Sequence, residues 1–104
     1  MAQHTADLFL FIRSLDPSHG VHTLHTAAKV LAELQGGRQD RDTLAVWQLA
    51  ASDGGPDRHI VLRGQVTFRS QWQLQAYWDY IQKRICDMID DRKVSFRLEL
   101  EEHQ

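Results

Sequence analysis

Between His59 and Asp91 the hydrophobic positions change their period once. Ile60, Leu62, Gly64, Val66 and Phe68 alternate with Val61, Arg63, Gln65, Thr67 and Arg69, the period of two that marks a strand with one face on a core. Ser70 with Gln73 three residues on fits a helix N-cap and capping box. Leu74, Tyr77, Trp78, Ile81, Ile85, Met88 and Ile89 then recur at helical spacing. The pattern predicts a strand from His59 and a long helix from Ser70.

The same reading orders the rest of the chain. Leu8-Phe9-Leu10-Phe11-Ile12 is apolar on both faces, which predicts a strand in the middle of a sheet. Asp16-Pro17 offers a cap and a first-turn proline. Val21, Leu24, Ala28, Leu31 and Leu34 supply an apolar stripe, and Gly36-Gly37 ends that helix; because of Gly20, a start near His22 is the alternative. Arg38 to Asp42 reads as a charged loop. Thr43 to Ser52 predicts a second strand, with Ala45, Trp47 and Leu49 on one face and Leu44, Val46 and Gln48 on the other, although its alanines also suit a helix. Asp53-Gly54-Gly55-Pro56-Asp57 signals a turn. Val94, Phe96, Leu98 and Leu100 alternate with Ser95, Arg97, Glu99 and Glu101 as a final strand.

The order is β-α-β-β-α-β over a single domain, residues 1–104. It predicts a ferredoxin-like α+β fold: a four-stranded antiparallel sheet with two helices on one face and the first and third strands central. The uncovered face then becomes the functional question. If Leu8, Leu10 and Ile12 meet the helices, Phe9, Phe11 and Arg13 point away, together with Arg63, Gln65, Thr67 and Arg69 and with Ser95, Arg97 and Glu99. Trp47 is a further candidate for that face, its register being open. Burying two Phe side chains contributes roughly 3–6 kcal/mol, so a cover is expected. The candidate interface or ligand face is Phe9, Phe11, Arg13, Trp47, Arg63, Arg69 and Arg97. The covers considered are a second copy in a homodimer, a different protein, a small apolar ligand and RNA.

Composition narrows these. The 104 residues are 42% hydrophobic and 25% charged, ordinary for a soluble globular chain. Twelve Lys and Arg against 14 Asp and Glu give a net charge of -2, which argues against a nucleic-acid partner. Cys86 is the single cysteine and needs no oxidising compartment. Leu8 to Ile12 is too short to span a bilayer, so a cytoplasmic protein without membrane contact is expected. His19, His22 and His25 step by three, about 60° apart around a helix. That spread disfavours one three-ligand site; no metal is expected, and His22 and His25 are the nearest candidates beside a plain polar helix shoulder. There is no phosphate loop, G-x-S-x-G or CxxC, and the reading calls for no cofactor and no catalytic residue. It favours a binding or regulatory role.

Two resemblances add to this. Phe68-Arg69-Ser70, then Leu74 and Tyr77, resembles the strand-to-helix passage of dimeric α/β-barrel proteins of the stress-responsive A/B-barrel and antibiotic-biosynthesis-monooxygenase groups. The resemblance implies a homodimer with facing sheets and, in an enzyme alternative, a cofactor-free oxygenase or isomerase pocket, here with His22, His25, Trp47 or Tyr77. Trp78, Asp79 and Tyr80 stand where histidines often follow the Tyr in the stress-responsive group. Arg63-Gly64 with Val66 and Phe68, and Leu8-Phe9-Leu10, resemble the RNA-recognition motif, but Gln65 and Val66 stand where base-stacking aromatics belong.

Overall fold

The first strand is the axis of the molecule. The structure, a computed structural model, describes residues 3–36, 43–53, 59–89 and 92–102. Its elements are β1 (His4–Ser14), a short 3-10 turn (Pro17–His19), α1 (Gly20–Gln35), β2 (Leu44–Asp53), β3 (His59–Phe68), α2 (Gln71–Met88) and β4 (Val94–Glu102). The strands form one sheet in the order β2-β3-β1-β4, every neighbouring pair antiparallel. The fold is ferredoxin-like, with β1 and β3 central as the pattern predicts. The charged loop and turn at 38–42 and 54–57, with Gly37 and the predicted helix end at 90–91, lie outside the described residues.

β1 is longer than its apolar run. It pairs with β3 from His4 to Arg13 and with β4 from Ala6 to Ser14. It has neighbours on both sides from Ala6 to Arg13 and on one side at each end, so polar residues at the ends stay in the strand. Its helix-facing residues Ala6, Leu8, Leu10 and Ile12 are fully buried against Val30 and Leu34 of α1 and Leu74, Ile81 and Ile85 of α2.

α2 follows its stripe, and Gln73 Oε1 accepts from the N–H groups of Arg69 (2.9 Å) and Ser70 (3.1 Å) at its start. α1 departs from its stripe. The buried residues are Thr23, Thr26, Ala27, Val30 and Leu34, while Val21 is 66% exposed and Leu24 and Ala28 lie at the surface. Two hydrogen bonds account for the rotation. Thr23 Oγ1 donates to the His19 carbonyl (2.9 Å) and lies 2.6 Å from Ser14 Oγ, so a threonine is satisfied inside the core and a leucine is left outside. The helix begins at Gly20 behind the 3-10 turn, where Asp16 Oδ1 accepts from the Ser18 N–H (2.8 Å) and hydroxyl (2.7 Å). Those bonds hold the Asp16 carboxyl below the usual carboxylate range.

Trp47 lies on the helix side of the sheet, not on the open face. It is 2% exposed, and its Nε1 donates to Tyr77 Oη at 2.7 Å. The cause is Gly64, its cross-strand partner: a Cβ there would stand 2.5 Å from Trp47 Cε2. The missing side chain makes room for the indole, which draws Trp47 into the core. Burial pushes the Tyr77 hydroxyl up to about 12. No described helix is long and apolar enough to cross a membrane.

Candidate association surfaces

The open face is built in cross-strand rows. Asp7 stands opposite Gln65 and Glu101, Phe9 opposite Arg63 and Glu99, Phe11 opposite Val61 and Arg97, and Arg13 opposite His59 and Ser95. Of the seven residues assigned to this face, Phe9, Phe11, Arg13, Arg63 and Arg97 are brought together there. Arg69 lies past the end of β3, and Trp47 is in the core.

Each aromatic ring on this face is flanked by a charge. The Phe9 and Phe11 centroids are 6.4 Å apart. The Arg97 guanidinium carbon sits 4.7 Å from the Phe11 centroid, and its Nε donates to Glu99 Oε1 at 3.0 Å, a cation–π contact held in place by an ion pair. Arg63 grips Asp7 through Nε (3.2 Å) and Nη2 (3.0 Å to each carboxylate oxygen). Asp7 is only 4% exposed, so this charge-assisted fork compensates a carboxylate largely removed from water. Asp7 is the residue the sequence reading passed over. Counting back by two from Phe9 puts it on this face; the apolar run from Leu8 drew attention away from it.

Charge is unevenly spread along the face. Arg13, His59 and Arg97 gather at one end, around a depression of about 230 Å³ lined also by Phe11, Ser95 and Phe96. Asp7, Glu99 and Glu101 occupy the other end, with Arg63 between.

A second surface runs along β2. An apolar groove of about 190 Å³ lies between α1 and the sheet, lined by Leu24, Ala27, Ala28 and Leu31 above and by Leu49, Ser52, Ile60 and Leu62 below. None of these side chains titrates, and His22, His25, Trp47 and Tyr77 do not line it. Leu44, Val46 and Leu49 of β2 are all more than half exposed. The sequence reading missed this groove because it took Leu24, Ala28 and Leu31 for core.

The histidines divide. His19 Nδ1 and His22 Nε2 are buried without a hydrogen-bond partner, whereas His25 is exposed. Among the described residues no three His, Cys, Asp or Glu side chains are placed to hold a metal ion. Cys86 is exposed on α2.

No family model and no curated protein matches the chain. Solved structures do. The YXEP protein of Bacillus subtilis, a dinuclear metal-binding peptidase, superposes with a TM-score of 0.60 at 13% identity, over 95% of this chain and 26% of its own. Aminopeptidase PepT from Bacillus cereus gives 0.56 at 12% identity, over 98% and 31%. A de novo designed protein with ferredoxin fold gives 0.55 at 17%, over 92% and 83%. The chain therefore spans less than a third of the length of these two peptidases. At such identities the likeness is one of fold.

Proposed function

We propose that the protein is a small non-catalytic association module that forms a homodimer by laying the open face of its sheet on that of a second copy. The observation that carries this reading is the charge polarity of the face around its aromatic centre. A twofold axis lying in the face and crossing the strands keeps β1 over β1 and reverses direction along it. The Arg13, His59 and Arg97 end of one copy then meets the Asp7, Glu99 and Glu101 end of the other, and Phe9 of each copy meets Phe11 of its partner. Such a contact is isologous and self-complementary in charge.

Size supports it as well. Ten-residue strands in a four-stranded sheet present a face about 33 Å by 19 Å, on the order of 600 Å² per copy and ~1,200 Å² in all, at the lower bound of stable interfaces. Facing sheets are also what the resemblance to dimeric α/β-barrel proteins implies.

Charge reversal tests the reading. Arg13→Glu is expected to weaken the dimer about tenfold or more by light scattering across a dilution series, and adding Glu101→Arg to restore part of the loss. Equal weakening by single and double variants would contradict the charge alignment.

A further inference from the structure

We infer that the depression at the Arg13 end of the open face binds a small phosphate monoester with an aromatic body. Three neighbouring strands build it. Arg13 of β1 stands between His59 of β3 and Ser95 of β4, and Phe11 with Arg97 forms the next row on this face. All five line the depression. Arg13, His59 and Ser95 are exposed, and among the described residues the Arg13 and His59 side chains have no hydrogen bond or ion pair. Arg97 is held in place over Phe11 and against Glu99, with more N–H donors than that one contact uses. Asp53 of β2 is the register partner of His59 on its far side, so the anion is held most strongly between Arg13 and Arg97.

The donors fit a phosphoryl group. Guanidinium forks bind phosphate bidentately, and a monoester brings three terminal oxygens and nearly two charges to two arginines, an imidazole and a hydroxyl. A carboxylate brings two oxygens and one charge. The positive region is also short. Two residues along the strands, about 7 Å away, the row is Phe9 with Glu99, and beyond it Asp7 with Glu101. A nucleic-acid strand or an anionic membrane carries its charges onto those carboxylates, whereas a single phosphoryl group stays among the arginines. The ester's body then lies toward Phe9 and Phe11, half-buried rings 6.4 Å apart that offer an aromatic group a surface to pack on.

The site stands on this geometry alone. Its consequence for assembly rests on the proposed dimer, in which the same end meets Asp7, Glu99 and Glu101 of the other copy. Phosphate and partner carboxylates then compete for Arg13, and saturation with ligand separates the copies.

Phenyl phosphate, followed by amide NMR shifts and by light scattering, tests both. Saturable shifts centred on the Arg13 and Phe11 rows are expected, with affinity at least tenfold weaker in Arg13→Gln and with benzoate and inorganic phosphate each binding less tightly. Absence of saturation, equal affinity in a folded Arg13→Gln variant, or benzoate binding as tightly overturns the proposal. Should Arg13→Gln unfold the chain, Arg97→Gln replaces it with the same expectations. Glu101→Arg separates site from dimer. It lies at the far end of the face, where physiological salt screens its direct pull on the ligand, but in the dimer it frees Arg13. Tighter binding in that variant, with a wild-type mass that halves on saturation, supports competition. Binding that depends on Arg13 and ignores Glu101→Arg keeps the site and removes the dimer.

Discussion

The two faces of β1 obey different rules. Toward the helices, Ala6, Leu8, Leu10 and Ile12 are fully buried and wholly apolar. Toward the open side, Asp7, Phe9, Phe11 and Arg13 pass from buried to exposed along the same strand, and the rings are interleaved with ion pairs. The inner face is finished within one chain. On the outer face, Arg97 lies over the Phe11 ring and Arg63 stands opposite Phe9, and both phenylalanines are left only partly buried within one chain. Alternation lets one strand serve both ends, because the two sets of side chains share a backbone and little else.

Core variants should separate the faces most sharply. Leu10→Ala is expected to cost about 2–5 kcal/mol in urea unfolding, from lost burial and the cavity left behind. Gly64→Ala drives a methyl into the Trp47 ring and is expected to cost about 1–3 kcal/mol; a neutral result would mean that the indole moves freely. Across the sheet, Arg63→Met leaves the buried Asp7 carboxylate without its guanidinium. A loss of ~1–3 kcal/mol is expected, shrinking as pH falls far enough to protonate Asp7.

On the inner face the pH effect comes at the alkaline end. Tyr77 has its hydroxyl pushed up to about 12 from an ordinary 10.0. The unfolded chain loses this proton first, so the stabilisation is complete below pH 10 and is lost as pH rises toward 12. Tyr77→Phe should flatten that part of the stability curve relative to wild type; identical slopes would show that burial does not hold the proton. Phe9→Asp is expected to perturb unfolding least of these, because Phe9 is half-buried in the single chain, while altering the assembly most.

The sequence made the sheet legible because strand alternation is strict where a core lies on one side. Ile60 to Phe68 and Leu74 to Ile85 occupy their expected faces. α1 was misread since hydrophobicity alone cannot show that Thr23, bonded to Ser14 and His19, is a better core residue than Val21. Trp47 was placed on either face until Gly64, a residue with no side chain to signal anything, turned out to lie beneath it. The open face was legible in its centre, through Phe9, Phe11, Arg13, Arg63 and Arg97. It was not legible in its charge polarity, which depends on register across strands far apart in the chain.

The most direct measurement is the solution mass of wild type and Phe9→Asp by light scattering over a range of concentrations, with folding checked by circular dichroism. The account expects a wild-type assembly of the 12.1 kDa chain whose mass falls by half in the variant. A folded variant with the wild-type mass, or a wild type that is monomeric at every concentration, would contradict association through the open face.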